Sequence, residues 1–365
     1  REPRGDLVNG YLEVVVEQFK KSYESGTFFS RTYLHPHGVL ERSILALFIA
    51  DLPGARKCGG MHSFSSKRNF CATCNLTLDN INNLDVGNWV HRKVETFREL
   101  AQKWKDTKGK TARKDLFKET GVRWTPFLEL PYWDPLRAIV IDGMHNLFIG
   151  LCAFHCRMFL EIDDALMDDD EEDDAEPSSS DLSKSGLDRL QQHLIDEAEK
   201  RSASGLSNLD LAQVRQWISA TSRPRWYASL PKNLGDAGHG KLKADQWRSA
   251  LEFDIPVALA QLWGDPSSPR HKVFRSTMFL AVAIRYATSH TITEKHVSQY
   301  NKYMLLYLKS LLEIDPSLRL HPNHHNALHL GDGLLRFGPM HGWWMFPFER
   351  VIGNLQRSNT NFKLG

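Results

Sequence analysis

The sequence predicts a helix-rich α/β protein whose core is interrupted by a long, mostly helical insertion. Two short apolar runs, 44–50 and 138–141, have the length of strands, and an aspartate follows each run directly. A glutamate, Glu349, begins a late helix whose apolar residues recur at helical spacing. Between these segments, from 187 to about 316, the periodicity is mainly helical.

The composition is that of a globular protein with a hidden charge asymmetry. Of 365 residues, 41% are hydrophobic and 25% charged, and the net charge is only +2. An acidic, Ser-rich run at 163–186 offsets a surplus of Lys and Arg elsewhere, so the remainder is basic and compatible with a polyanionic partner. This run is expected to be a disordered loop because it has too little apolar surface to bury. No apolar stretch approaches the roughly 20 residues that span a bilayer, so no membrane partner is expected.

The elements follow one another in a simple order. A first helix at 6–25, which Asp6 can cap, ends at Gly26. Its predicted apolar face consists of Val8, Leu12, Val15, Val16, Phe19 and Tyr23. The predicted segments are 1–57 (helix and strand of the core), 58–125 (Cys/His loop and basic helical segment), 126–162 (strand and helix), 163–186 (acidic loop), 187–320 (helical insertion) and 321–365 (C-terminal core segment).

Three carboxylates suggest a metal-dependent site. Asp51 and Asp142 follow the two apolar runs, Glu349 lies in an aromatic stretch, and His145 is one helical turn after Asp142. Carboxylates from separate elements can hold two cations beside a phosphate, and Mg²⁺ needs few of them because it keeps several waters. The alternative is that the aspartates are turn formers or helix N-caps and that Glu349 is a solvated first-turn residue. Spacing alone leaves both interpretations open.

The five cysteines are typical of a reducing compartment, and one pair has zinc-site spacing. Their odd number argues against a disulfide scaffold. Cys71-x-x-Cys74 is half of a zinc site, and Cys58, His62 and His91 are candidates for the remaining ligands. A pair of loop cysteines without metal is the alternative, and it stays open.

Four histidines cluster near the C-terminal end of the chain. They are His321, His324, His325 and His329, of which the last two share a helical face at i, i+4. A zinc hydrolase could be built on such a pair, but the glutamate of an HExxH motif is missing. Structural or supporting roles are therefore favoured.

Two basic segments are candidates for binding nucleic acid. They span 91–115 and 232–248, and the second contains Lys241 and Lys243. Such residues can neutralise DNA phosphates. A solvated helix face explains the same pattern equally well.

Four stretches together resemble a known family. They are "DLPGARKCGG…FCATCNLTLDN", "LPYWDPLRAIVIDGMHNLFIGL", "GKLKADQWR" and "NHHNALHLGDGLLRFGPMHGWWMFPFERVIGNLQRSNTNFKLG". At these stretches the sequence is similar to the transposases of CACTA-type (En/Spm-like) DNA transposons, especially the fungal CACTA and Plavaka forms. The similarity runs in the same order through most of the chain, apart from the acidic insert.

The resemblance implies an RNase H-like catalytic core with an Asp-Asp-Glu triad and a helical insertion before the Glu. Asp51 matches the second Asp of that triad and Glu349 the Glu. Asp142 and His145 match a D-x-x-H string at or near the active site, and the CxxC pair after Asp51 matches a recurrent one.

The function that the resemblance implies is metal-dependent DNA cleavage and strand transfer. The implied cofactors are Mg²⁺ or Mn²⁺, with Zn²⁺ at the Cys pair. The implied partner is DNA, both transposon ends and target, acted on by a homo-oligomer in the nucleus. Arg350 and Arg357 are expected to face DNA phosphates, while Trp344, Phe346 and Phe348 fix the Glu349 helix against the core.

One departure from the family limits this expectation. The family's first catalytic Asp lies on a strand upstream of the helix at 6–25, before the chain begins. The chain is therefore expected to be a fragment or a truncated copy. The alternative function is a transposase-derived, catalytically inactive scaffold that binds DNA or protein.

Overall fold

A computed structural model of the chain describes residues 5–162, 205–236 and 240–357. It is 59% helical with a small two-stranded sheet, so the helix-rich class is confirmed. An RNase H-like core remains a prediction. The acidic loop predicted at 163–186, and the start of the insertion after it, lie outside the described residues.

The described elements follow one another along the chain as thirteen α-helices and two strands, with two π-helical stretches. The helices are α1 (Asn9–Glu24), α2 (Leu52–Cys58), α3 (Val94–Asp106), α4 (Lys110–Thr120), α5 (Pro135–Ala138), α6 (Ala153–Phe159), α7 (Asn208–Ala220), α8 (Ala244–Ser249), α9 (Ile255–Trp263), α10 (His271–Ala287), α11 (Glu294–Ile314), α12 (Pro322–Phe337) and α13 (Phe346–Arg357). Strands β1 (Thr27–Phe29) and β2 (Val39–Glu41) pair antiparallel, and the π-helical stretches are Met144–Cys152 and Ala250–Asp254.

The chain divides into two compact units. Unit 1 comprises Arg1–Asn146, Ala287–Asn301 and Ser317–Gly365, and unit 2 comprises Leu147–Tyr286 and Lys302–Pro316. Every candidate carboxylate and every candidate zinc ligand named above belongs to unit 1.

The core of unit 1 is built where α1 meets the segment after α4. Val16, on the inner face of α1, is buried with Phe127 and Trp133, and Leu12 and Phe19 pack beside it. The 3.6-residue periodicity of α1 explains this arrangement, because residues four and seven apart lie on one face. The predicted first helix is thus confirmed.

The two apolar runs predicted as strands differ from that prediction. Within the described residues, 44–50 and 138–141 form one parallel bridge, between Phe48 and Ile139, and no longer ladder. The main-chain N–H of Phe48 donates to Ala138 O at 2.7 Å, and the carbonyl of Phe48 accepts the N–H of Val140 at 3.3 Å. The second run begins within helix α5, and two isolated strands seldom form a stable sheet, which explains why pairing stops at one position.

The core of unit 2 contains buried sulfur and polar groups. Cys152 and Cys156 are fully buried. His155 Nε2 lies 2.8 Å from Thr277 Oγ1, and its ring packs edge-on against Tyr307 at 5.5 Å. Burial lowers the pKa of His155 to about 3, so this imidazole is neutral at physiological pH.

Candidate functional site

A Cys-x-x-Cys turn in unit 1 forms half of a cluster of metal-ligating side chains. The main-chain N–H groups of Thr73 and Cys74 each donate to Cys71 Sγ at 3.3 Å. Cys74 pairs with His91 in an antiparallel bridge. The side chain of Arg92 donates to the carbonyls of both cysteines, at 3.0 and 3.2 Å. The turn is therefore held rigidly, with its first sulfur accepting two hydrogen bonds.

Helix α12 supplies the other half of the cluster. His325 and His329 lie one turn apart on it, and their Nε2 atoms are 3.1 Å from each other. His325 Nε2 is 3.3 Å from Cys74 Sγ, and His329 Nε2 is 3.5 Å from Cys71 Sγ. The Trp89 ring packs against both imidazoles, with centroids at 4.5 and 5.3 Å. All four donor atoms lie within 4.8 Å of one another.

The electrostatics of the cluster favour the metal-binding form at Cys71 and His325, but the protonated thiol at Cys74. Burial opposes ionisation of Cys71, but hydrogen bonds from Cys74 and from both histidines hold its pKa well below the usual range. The hydrogen bond to Cys71, together with burial, raises the pKa of Cys74. Burial lowers the pKa of His325 and keeps it neutral. Thiolate and neutral imidazole are the forms that ligate metals.

These four side chains could hold a metal ion such as zinc. Two sulfur and two imidazole donors are the ligand set of closed, tetrahedral zinc sites. Catalytic zinc sites usually keep a position for water beside three protein ligands, so four protein donors disfavour the zinc hydrolase interpretation. Cys74 and His325 are 251 positions apart, so such an ion would join distant parts of unit 1.

The ligands predicted to complete the cysteine pair lie elsewhere. Cys58 packs against the α1 core cluster described above. His62 stacks on Phe117, with ring centroids 5.0 Å apart, and burial lowers its pKa. His91 is exposed, and its ring is 6.2 Å from that of His329. The structure thus places His325 and His329, and not Cys58, His62 or His91, beside the cysteine pair, which agrees with a structural role for the α12 histidines.

One sequence signal could have found these ligands. His325 and His329 have the i, i+4 spacing that places two imidazoles on one helix face, and a CxxC pair needs two more donors. Nearness along the chain favoured Cys58 and His62 instead. Only the tertiary structure brings α12 to the cysteine turn.

The parallel bridge brings the two aspartates to one edge. Asp51 lies three positions after Phe48, and Asp142 three positions after Ile139, and both carboxylates act electrostatically on His145. Asp51 also caps α2, because its Oδ1 accepts the N–H of Gly54 at 2.8 Å. The alternative interpretation as an N-cap is therefore confirmed for Asp51. Its Oδ2 accepts no hydrogen bond from the described residues.

Asp142 is buried and fully engaged by neighbouring donors. Its Oδ2 accepts the N–H of His145 at 2.9 Å and lies 2.7 Å from His145 Nδ1. Its Oδ1 accepts the N–H of Met345 at 2.8 Å, directly before α13 begins. With both oxygens occupied, Asp142 positions the imidazole and the start of the Glu349 helix, and offers little to a metal.

His145 is the point where the predicted site residues meet. Its Nε2 lies 3.9 Å from Glu349 Oε1, while its Nδ1 faces Asp142. Burial opposes protonation, but the hydrogen bond to Asp142 and the charges of Asp142, Asp51 and Glu349 raise the pKa of His145. Three predicted carboxylates, from positions 51 to 349, thus act on one imidazole.

Helix α13 is exposed beyond its first residues. Trp344 and Met345 are buried just before it, but Phe348 is 47% exposed, which corrects the expectation that this ring packs on the core. The exposed apolar side chains of α13 are Phe348, Val351, Ile352 and Leu355. They recur at i, i+3, i+4 and i+7, and the described part of the chain does not cover them. Arg350 and Arg357 are also exposed.

The two predicted phosphate-binding lysines lie in unit 2. Lys241 and Lys243 are exposed on either side of buried Leu242. Lys243 precedes α8, and its main-chain N–H donates to Gln246 Oε1 at 2.9 Å. This alternation directs both lysines to solvent, but contact with DNA remains a prediction.

Comparison of the chain with protein-family models and with curated proteins found no match. Among the described residues, no helix is both long and apolar enough to cross a membrane. The functional argument therefore rests on the two clusters of unit 1 and on the sequence resemblance.

Proposed function

We propose that the chain is the catalytic core of a DDE-type DNA transposase, which cleaves DNA and transfers strands with the help of metal ions. The observation that carries this proposal is the convergence on His145 of Asp51, Asp142 and Glu349, which match the family's motifs. Residues almost 300 positions apart meet at one imidazole. A chance set of exposed carboxylates would have no reason to do so.

The donors with free oxygens fit the metal that the family implies. Glu349 is half exposed, and Asp51 keeps Oδ2 available, so each could give a hard oxygen ligand to Mg²⁺ or Mn²⁺. A bound cation supplies charge neutralisation at the scissile phosphate and a lowered pKa for the attacking water. Asp142 keeps His145 directed at Glu349, which fixes the position of the glutamate that the chemistry requires.

A zinc ion in the Cys/His cluster would support this site from a distance. The cluster anchors α12, and a short connection leads from α12 to the Glu349 helix. Trp343, within that connection, is buried, and its Nε1 donates to Gly338 O at 3.1 Å. We expect zinc to hold the connection in place and to take no part in the chemistry.

Calorimetric titration with Mn²⁺ tests the proposal. The chain should bind Mn²⁺, and both Asp51→Asn and Glu349→Gln should lose that binding if the two carboxylates share an ion. Glu95→Gln is the matched control, because Glu95 is also an exposed glutamate in the first turn of a helix. Binding that survives both site variants, or that Glu95→Gln also abolishes, would overturn the proposed site.

A second candidate is a transposase-derived scaffold that binds DNA or protein without catalysis. It is favoured by the engagement of both Asp142 oxygens and of Asp51 Oδ1, which leaves few carboxylate oxygens for two cations. A plasmid-nicking assay with Mg²⁺ or Mn²⁺ distinguishes the two candidates. Nicking that Glu349→Gln removes supports the enzyme, whereas DNA binding without nicking supports the scaffold.

A further inference from the structure

A tight turn in unit 2 presents an exposed tryptophan. The turn spans residues 224–227 and is closed by a hydrogen bond from Tyr227 N–H to Pro224 O at 3.1 Å. Its two central residues are Arg225 and Trp226, and Trp226 is 87% exposed. Among the described residues, neither side chain has an ion pair, hydrogen bond or ring contact.

Buried polar contacts hold this turn from both sides. On one side, Arg223 donates to both oxygens of Asp254, at 2.9 and 2.5 Å, and the two side chains are only 7% and 3% exposed. On the other side, half-buried Tyr227 forms a side-chain hydrogen bond with Ser249. A buried, bidentate ion pair fixes the backbone that it joins. The exposure of Trp226 is thus a property of an anchored turn.

The sequence segment that carries Trp226 has more Lys and Arg than Asp and Glu. Between 221 and 243 there are five Lys or Arg residues and one acidic residue, Asp236, which pairs with Arg215. Arg225 is next to the tryptophan, and Gln246 Nε2 donates to Ser229 O at 3.2 Å, which brings the Lys243 end of α8 close to the turn. An apolar ring among positive charges matches a partner that carries both flat rings and phosphates.

We propose that Trp226 is a stacking platform for an unpaired nucleotide, with Arg225 and Lys243 holding the neighbouring phosphates. Aromatic side chains stack on any base because every base has a π-face, and adjacent Arg and Lys neutralise the backbone. In a duplex the bases are already stacked, so the platform selects unpaired strands. This inference deepens the proposed function and rests on it for the identity of the nucleic acid.

Fluorescence anisotropy with labelled oligonucleotides tests the platform on the whole chain, without Mg²⁺ or Mn²⁺. Trp226→Ala should weaken binding of a single-stranded 20-mer about 10-fold or more, and Trp226→Phe should keep most of the affinity. Duplex affinity should change less than about twofold. Tyr33→Ala is the matched control, because Tyr33 is 99% exposed in unit 1 and should not matter.

Three outcomes would overturn the inference. They are unchanged single-strand binding by Trp226→Ala, equal losses for single strand and duplex, and an equal loss in Tyr33→Ala. Unchanged binding to all nucleic acids would point to an apolar protein partner for Trp226. Failure of the platform is distinguishable from failure of the proposed function, because metal-dependent nicking by Trp226→Ala is scored separately. If the protein nicks DNA but Trp226→Ala binds single strands normally, only the stacking platform is rejected. If Trp226→Ala loses single-strand binding but the protein does not nick DNA, only the catalytic function is rejected.

Discussion

The two clusters of unit 1 differ in how far they are enclosed. The Cys/His cluster is enclosed, and its four donor atoms face one another within 4.8 Å. The cluster around His145 is open on one side, where Glu349 and Asp51 reach solvent. The first arrangement suits a structural ion and the second suits an exchangeable ion with substrate. Burial thus distinguishes the enclosed Cys/His cluster from the proposed reactive site in the same unit.

The largest effect is expected from the enclosed cluster. If the cluster holds zinc, Cys74→Ser should abolish zinc binding and unfold unit 1, because structural zinc contributes about 10–16 kcal/mol, comparable with the whole stability of a domain. Metal analysis by mass spectrometry and hydrogen exchange check this. Cys58→Ser and His62→Ala are the controls and should keep about one zinc per chain. Full zinc content in Cys74→Ser would show that the Cys/His cluster is not the zinc site.

A smaller loss is expected inside the open cluster. Asp142→Asn should reduce the free energy of unfolding by about 2–3 kcal/mol, because a buried carboxylate loses charge-assisted hydrogen bonds to His145 and Met345. Glu349→Gln should change it by less than about 0.5 kcal/mol, since that side chain is half exposed. Urea denaturation measures both. Equal losses in the two variants would contradict the division between positioning and reactive residues.

Two histidines should give opposite dependences of stability on pH. The folded-state pKa of His145 is raised, so its contribution is present below about pH 6.5 and is lost as the pH rises through the raised pKa. The pKa of His155 is lowered to about 3, so its contribution is present above about pH 6.5 and is lost as the pH falls towards 3. The free energy of unfolding of His145→Gln and of His155→Gln, measured by denaturation from about pH 3 upwards, should each lack the pH dependence that the replaced histidine causes. A change of the same sign in both variants would disprove the assignment.

The smallest effect is expected on the exposed helix. Arg350→Gln and Arg357→Gln should each lower the salt dependence of DNA binding by about one unit in log–log slope, as for one lost phosphate contact. Stability should stay unchanged. Arg285→Gln, an exposed arginine of unit 2, should leave the slope as in the wild type. An equal effect of Arg285→Gln would show that general charge, and not α13, binds DNA.

Local patterns predicted the helices better than the strands. The periodicity of α1 identified a helix that the structure contains, and the predicted basic helical segment within 58–125 contains α3 and α4. The run 44–50 looked like a strand but forms one bridged position, because a strand depends on partners that local sequence does not reveal. Phe348 was expected in the core for a related reason. It does lie on the apolar face of α13, but no described residue covers that face.

The sequence by itself determined the residue types of both sites: a CxxC turn, paired histidines on a helix, and three carboxylates with a histidine in family order. It also determined the helical character, because hydrophobic periodicity is a local property. Only the tertiary structure decided which donors join the cysteines, which aspartate is engaged by hydrogen bonds, and which carboxylates face solvent. The contacts to the cysteines and to Asp142 join residues 251 and 203 positions apart, and they depend on how packed elements meet in space.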